Sequence, residues 1–237
     1  MNTICRLLTT AIFCLPGWVL ADSLAQELAL KAPAAKAHVI SLAVAAMECA
    51  AEEQGSRPSK LAVIDYSLPS SQPRLWVFDL EQRKLMYKEY VAHGRNSGAN
   101  YANSFSNVNG SYQSSLGLFR TMSPYRGKHG ISLRLEGMEQ GVNDNALERA
   151  IVIHGADYVN PAWVSKQGRI GRSLGCPAVR PAVAKQLIDN LKDGQYVFAY
   201  YPDPQWLTTS TFLTCGGAKA PLASALADIS GANQSIE

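Results

Sequence analysis

Two short segments, IVIHG at residues 151–155 and GRSLGCP at residues 171–177, decide how the rest of the chain is interpreted. The first is an apolar run that ends in His154 and a glycine, a pattern typical of a buried strand followed by a turn. The second surrounds Cys176 with small and rigid residues, and Pro177 disfavours a helical backbone at the cysteine. We therefore predict that a strand end presents His154 and that a turn presents Cys176.

These two side chains form a candidate nucleophile and base. A thiol reacts as its thiolate, and a neighbouring imidazole can remove its proton. Gly175 allows a substrate to approach the backbone closely, so the amide groups of Gly175 and Cys176 can form an oxyanion hole. A buried structural thiol is the alternative for Cys176, and a structural imidazole is the alternative for His154.

Outward from these segments, short apolar runs predict a domain rich in strands. The predicted strands cover residues 61–66, 74–80, 85–91, 116–120, 131–135, 150–153 and 196–201. Residues 92–115 form a long polar loop, and uncovered loops of this length are usually functional or disordered. Helical spacing of apolar residues predicts one helix over 34–54 and another that begins at Pro181 and stops at Gly194.

Four parts are predicted along the chain: a signal peptide (1–21), an N-terminal helical segment (22–58) that opens with a leader over 22–33, a catalytic domain (59–203) and a C-terminal tail (204–237). Arg6 precedes an apolar stretch that ends at Ala21, which predicts cleavage after Ala21. A membrane anchor is the alternative, but the stretch is shorter than the ~20 residues that span a bilayer. We therefore expect export to the periplasm or cell envelope, with no stable membrane span after processing.

Charge and cysteine content narrow the possible partners and pairings. The chain has 22 basic and 19 acidic residues, so removal of Arg6 leaves 21 against 19, a net charge of +2 that is too scattered to favour nucleic acid. The predicted mature chain keeps Cys49, Cys176 and Cys215, and an odd number predicts one disulfide and one free thiol in an oxidising compartment. We favour the Cys49–Cys215 pair, because these cysteines flank the central domain; all three reduced is the alternative.

The HG at residues 154–155 and the SLGC at residues 173–176 resemble the signature of the L,D-transpeptidase (YkuD-type) catalytic domain, which carries His-Gly and then Ser-His-Gly-Cys. Three further segments resemble the branch usually described as murein L,D-transpeptidases: DYS at 65–67, HGRNSG at 93–98 and NDN at 143–145. The resemblance covers about residues 60–203. Leu174 departs from it, because most members have histidine at that position.

The resemblance implies a mainly β (α+β) fold, a sandwich-like catalytic domain with an N-terminal helix and a helix after the cysteine. It also implies a two-step reaction on peptidoglycan stem peptides. The Cys176 thiolate attacks the carbonyl of the third stem residue, the terminal D-alanine leaves, and an amine of a neighbouring stem, or water, resolves the thioester. His154 is the implied base, with its ring oriented by the Gly155 carbonyl.

Further residues are candidates for supporting roles. Ser173 can bond across the turn, and Arg172 can hold a substrate carboxylate because a guanidinium matches that group in geometry. His129 and His93 both precede glycine in polar segments, so both are candidates to line the cleft and bind substrate. Turn-forming, surface or packing roles are the alternatives. Because close ligand pairs such as His-x-x-x-His are lacking, we predict neither a metal nor another cofactor.

Three other functions are alternatives to L,D-transpeptidation. Water in place of an amine would make the same site an L,D-carboxypeptidase or endopeptidase. A non-catalytic cell-wall binding protein would keep the fold without needing both Cys176 and His154. A papain-like peptidase normally has its cysteine before its histidine, the reverse of the order found here. The sequence indicates no oligomeric state.

Overall fold

A computed structural model describes residues 17–215 and 222–227, and this part of the chain begins with two packed helices. Helix α1 spans Gly17–Lys31, and α2 spans Ala37–Gln54 and ends where Gly55 adopts a left-handed backbone with φ 62°. Helix α2 therefore matches the helix predicted over 34–54. Helix α1 was not predicted, because residues 22–33 were interpreted as a leader.

The predicted signal peptide overlaps the described residues only in part. The expected cleavage position after Ala21 lies within α1, and residues 1–16 lie outside the described residues. Of the helices in residues 17–215 and 222–227, none is long and apolar enough to cross a membrane.

The strands form one mixed eight-stranded sheet in the order β3-β2-β1-β8-β4-β5-β6-β7. They are β1 Lys60–Asp65, β2 Leu75–Asp79, β3 Lys84–Glu89, β4 Gly117–Gly127, β5 Gly130–Gly137, β6 Val152–Gly155, β7 Ala178–Val179 and β8 Tyr196–Tyr200. The β1–β8 and β6–β7 pairs are parallel, and the other neighbours are antiparallel. With the flanking helices, this sheet confirms the predicted mainly β, α+β fold.

Two helices and a loop lie near the edge of the sheet formed by β6 and β7. Helix α3 spans Ala162–Gln167, and α4 spans Pro181–Leu191, beginning at the predicted proline. Helix α4 buries Leu187, Ile188 and Leu191 and packs against β6, β5 and β1. The loop between α3 and β7 carries the cysteine, so the sheet edge and α4 together position the candidate site.

The structure extends or shifts several predicted strands. Strand β4 continues to Gly127 although Pro124 argues against a strand, because the register between β4 and β5 shifts between Thr121 and Pro124 and accommodates the proline. Strand β6 starts two residues later than predicted, since Ala150 has φ 53° and lies in a turn. The sequence shows no sign of β7, which has two residues and is too short to show a period.

Residues 204–215, which the sequence assigns to a tail, pack against the core. Helices α5 (Pro204–Thr209) and α6 (Thr211–Thr214) bury their apolar side chains, including Trp206 and Phe212. A disulfide joins Cys49 of α2 to Cys215, with their Cα atoms 6.1 Å apart. Cys176 is the free cysteine of the described chain. A short helix also covers residues 222–227.

Candidate active site

His154 is held at the end of β6, between two neighbouring strands. Its backbone pairs with Ser132 of β5 and with Ala178 of β7, and its side chain is only 4 % exposed. The ring Nδ1 lies 3.0 Å from the Gly155 carbonyl oxygen. Because a carbonyl can only accept a hydrogen bond, Nδ1 carries the proton and Nε2 is left as the basic nitrogen.

Gly155 has a second role, because α4 packs directly on it. A β carbon at this position would lie 2.9 Å from Cβ of Ala184 and 3.3 Å from Cα of Pro181. Both distances are shorter than ordinary van der Waals contact between carbon atoms. A glycine is therefore required for α4 to approach the strand that carries His154.

The turn before Cys176 is closed by the Ser173 hydroxyl. Ser173 Oγ accepts a hydrogen bond from the Gly175 N–H at 3.1 Å and donates one to the Cys176 carbonyl at 2.6 Å. The Ser173 backbone bonds to the long loop, accepting from Arg95 and donating to the His93 carbonyl. These contacts give Ser173 the role of a turn-forming residue whose hydroxyl fixes the backbone around the thiol.

Gly175 gives the turn its unusual backbone, with φ 126°. A β carbon there would lie 2.9 Å from the Gln113 carbonyl oxygen, so only glycine fits between the turn and the long loop. Its amide, however, is already bonded to Ser173 Oγ. This corrects the predicted oxyanion hole: within the described residues the Cys176 N–H has no partner and is available, whereas the Gly175 N–H is occupied.

The Cys176 thiol rests against the start of β6. Sγ accepts from the Val152 N–H at 3.5 Å and donates to the Ala150 carbonyl at 3.6 Å. Cys176 and His154 line one cleft of about 430 Å³, but among the described atoms no hydrogen bond joins the ring to Sγ. A proton transfer from Sγ to the imidazole would require the thiol to turn away from the Ala150 carbonyl.

Burial shifts the pKa values of the Cys176 thiol and the His154 ring so that the neutral form of each group is favoured. Burial raises the pKa of the Cys176 thiol, while the Val152 N–H, Arg149 and Lys128 act in the opposite direction. Burial also lowers the pKa of His154; the Gly155 carbonyl raises it, and the nearby His129 lowers it further. Both shifts favour a thiol with a neutral imidazole over a thiolate–imidazolium ion pair.

Arg149 is a cleft residue that the sequence analysis missed. Its Nη1 donates to the Ser106 carbonyl at 2.6 Å and to Ser115 Oγ at 2.5 Å. Its Nη2 donates to Ser111 Oγ at 3.2 Å and to the Gln113 carbonyl at 2.7 Å. The Arg149 guanidinium therefore makes four hydrogen bonds to the second half of the long loop, close to Cys176. No local pattern marks it, because its partners lie more than 30 positions away in sequence.

Of the three predicted substrate-binding residues, the structure brings two to the cleft. Arg172 lines the cleft and donates through Nη1 to the carbonyls of Arg95 (3.0 Å) and Gly98 (2.8 Å). His129, at the tip of the β4–β5 hairpin, stacks on His154 with ring centroids 4.6 Å apart.

His93 does not line the cleft, which corrects the prediction. It is fully buried, its Nδ1 lies 2.6 Å from Nη2 of Arg74, and its Nε2 lies 3.3 Å from the Gly98 carbonyl. Burial and the Arg74 charge lower the pKa of His93 to about 3. The His-Gly pattern indicated a turn but could not indicate that the ring faces a buried arginine.

Metal ligands are not grouped in the described part of the chain. Within residues 17–215 and 222–227, no three or more His, Cys, Asp or Glu side chains are arranged to hold a metal ion.

A family model described as the L,D-transpeptidase catalytic domain matches residues 31–200. No curated protein matches the chain. The solved structures that are similar to parts of the chain include three L,D-transpeptidases. The first is an L,D-transpeptidase from Mycobacterium smegmatis with 14 % identity and a TM-score of 0.38, covering 62 % of this chain and 60 % of that chain.

The second is L,D-transpeptidase 1 from Mycobacterium tuberculosis, with 12 % identity and a TM-score of 0.35 over 61 % of this chain and 63 % of that chain. The third is an L,D-transpeptidase from Stackebrandtia nassauensis, with 14 % identity and a TM-score of 0.35. The match covers 76 % of this chain and 90 % of that chain. The chain spans about three fifths of the two mycobacterial proteins.

Proposed function

The chain belongs to the family of L,D-transpeptidase catalytic domains, and we propose that it is a peptidoglycan L,D-transpeptidase that acts through a Cys176 acyl-enzyme. The observation that carries the proposal is the shared cleft of Cys176 and His154. The thiol is the free cysteine of the described chain, and the imidazole has its Nδ1 fixed by the Gly155 carbonyl. A nucleophile beside an oriented base is the arrangement that covalent acyl transfer requires.

In the proposed first step, the Cys176 side chain rotates toward Nε2 of His154, which removes the Sγ proton. Sγ attacks the carbonyl carbon of the third residue of a stem tetrapeptide, and the Cys176 N–H donates to the oxyanion. Collapse breaks the bond to the terminal D-alanine, whose amine leaves with the proton from His154. The product is a thioester on Sγ.

In the proposed second step, an amine of a neighbouring stem attacks the thioester carbonyl. His154 accepts a proton from that amine, the C–S bond breaks, and the proton returns to Sγ. Water in the same position would release a tripeptide instead. Arg172 is proposed to attract a carboxylate of the stem peptide at the wall of the cleft.

We also propose that the protein works outside the cytoplasm, where peptidoglycan lies. The disulfide between Cys49 and Cys215 supports this, because such bonds persist in oxidising compartments. The predicted signal peptide points the same way.

Purified tetrapeptide muropeptides test the function directly. The wild-type protein, Cys176→Ala and His154→Gln are incubated with them, and products are followed by mass spectrometry. We expect dimers with loss of D-alanine from the wild type, none from Cys176→Ala, and at least about a 10²-fold lower rate from His154→Gln. Lys166→Gln, at an exposed position of α3, is the matched control and should keep the wild-type rate.

Other outcomes select among the remaining functions. Cysteine-dependent tripeptides without dimers would identify a hydrolase. Equal turnover by the wild type and Cys176→Ala would contradict catalysis by this thiol, and binding of muropeptides without turnover would support a non-catalytic cell-wall protein.

A further inference from the structure

Two imidazole rings stack at the candidate active site. The ring centroids of His129 and His154 are 4.6 Å apart, and the ring planes are inclined by 31°. This is the tilted, offset contact that planar rings favour. His154 is buried, whereas His129 is exposed to solvent on the hairpin. The buried His154 ring is therefore in contact with a ring that is exposed to solvent.

The sheet itself brings the two rings together. Gly127 pairs with Gly130, so Lys128 and His129 form a two-residue turn between β4 and β5. Strand β6 pairs with β5 close to this turn, with His154 opposite Ser132. The hairpin tip consequently lies beside the end of β6, and no loop needs to move to make the contact.

We propose that His129 is a positioning residue for His154, holding one face of the imidazole while the Gly155 carbonyl fixes Nδ1. This role rests on the function proposed above for Cys176 and His154. Two constraints on one ring leave Nε2 directed to the cleft. The catalytic turn offers no ring of its own, because Leu174 carries an aliphatic side chain that is 57 % exposed.

His129 also affects the charge of its partner. A proton on His129 repels a second proton on His154, and this repulsion adds to burial in lowering the pKa of His154. Other titratable or charged groups around the stack and the Cys176 thiol are Tyr125, Lys128, Arg149, Asp157, Tyr158, Arg172 and Lys185. Removal of the His129 charge alone should therefore raise the pH at which His154 becomes a base.

Alkylation of Cys176 by iodoacetamide measures the base without any peptidoglycan substrate. The full chain is followed from about pH 5 to 9 as wild type, His129→Ala and His129→Phe. We expect His129→Ala to lower the rate at neutral pH by about tenfold, because the ring loses its support. His129→Phe keeps a planar ring, so its rate should stay near wild type while its acid limb moves to higher pH.

The matched control is Arg126→Ala, which removes a positive charge from an exposed position on the same hairpin. It should leave the alkylation profile unchanged. Nitrogen-15 NMR of the His154 ring provides the second readout: we expect a single Nδ1–H tautomer in the wild type and a mixture in His129→Ala. Melting temperatures of all variants separate a local effect from unfolding.

Two results would overturn the inference in different ways. If His129→Ala keeps the wild-type alkylation profile and ring signals while His154→Gln is slowed, only the role of His129 is refuted. If His154→Gln alkylates as fast as the wild type, the base assignment fails, and with it the reaction proposed above.

Discussion

At Gly155 the packing leaves no room for a side chain. A methyl group there would meet Cβ of Ala184 at 2.9 Å, so Gly155→Ala should displace α4 or the end of β6. We expect unfolding free energy to fall by about 1–3 kcal/mol. We also expect a slower reaction at Cys176, because the carbonyl that orients His154 moves. Chemical denaturation and the alkylation assay measure these two effects.

A second substitution tests whether the contact with α4 is the cause. Ala184→Gly removes the nearest obstructing atom, so the double variant should regain much of the reactivity, although glycine within α4 lowers stability by about 1 kcal/mol. A double variant as slow as Gly155→Ala alone would show that the explanation is wrong.

His93 predicts an acid-sensitive contribution to stability. Its pKa is lowered to about 3 in the folded protein, against about 6.5 for an unperturbed histidine. The stability that the neutral His93 side chain contributes is therefore complete above pH ~6.5. As the pH falls from about 6.5 to about 3, the unfolding free energy decreases by up to about 1.4 kcal/mol per pH unit. Urea unfolding at several pH values measures this slope.

The control for this prediction is His93→Gln, which should show a shallower loss of stability on acidification. Asp65 and Glu139 are also buried, and burial raises their pKa values, so both contribute in the opposite direction. They are present in both proteins and cancel in the comparison. Parallel pH profiles of the two proteins would argue against the His93 assignment.

Among the elements, the long loop over 92–115 has its second half bonded to the Arg149 side chain. Arg149 bonds to four groups between Ser106 and Ser115, so Arg149→Ala should release that segment. We expect about tenfold faster proteolysis in the loop, because its local opening no longer breaks these bonds. We also expect lower Cys176 reactivity, since Gly175 packs on the Gln113 carbonyl.

Lys88→Ala, at an exposed position on β3, removes the same charge elsewhere and should leave proteolysis unchanged. Arg149→Lys distinguishes charge from geometry, because an ammonium cannot reproduce the planar fork. If Arg149→Lys and Arg149→Ala both resist proteolysis like the wild type, the loop is held by other contacts.

The elements that the sequence predicts well are those with local signals. Residues 61–64 and 196–200 are continuous apolar runs, and both lie in buried strands. Pro181 and Gly55 mark a helix start and a helix end through backbone preferences alone. The length of strand β4 was underestimated, because its second half is largely polar, becomes exposed at the tip and contains Pro124.

The residues of the candidate site also differ in whether a local sequence pattern predicts them. Cys176 and His154, which line one cleft, could be predicted as candidates because the glycines and the proline beside them restrict the backbone. Arg149 and the stacking of His129 depend on contacts between distant segments, which no local pattern records. Ser173 was predicted to bond across the turn, but only the folded geometry shows that its hydroxyl occupies the Gly175 amide.

For the molecule as a whole, the disulfide connects helix α2 to the residue that follows α6. Cys49 and Cys215 are 166 positions apart, and the bond restricts the unfolded chain over nearly the whole domain. We expect the Cys49→Ser/Cys215→Ser variant to lose about 2–5 kcal/mol of unfolding free energy. Thermal unfolding with and without reductant measures this loss.

Cys176→Ala is the control, because it removes a cysteine that is not in the disulfide. It should melt near the wild-type temperature and respond to reductant as the wild type does. If the double serine variant unfolds at the wild-type midpoint, the bond does not stabilise the native state.

The position of β8 governs the order in which the fold can be completed. Strand β8 lies between β1 and β4, and in the described sheet these two strands meet only through it. Of the described strands, β8 is the last to be synthesised, so β1–β3 and β4–β7 cannot join into one sheet until residues 196–200 have emerged. Such a chain stays unfolded longer than one whose strands pair in sequence order.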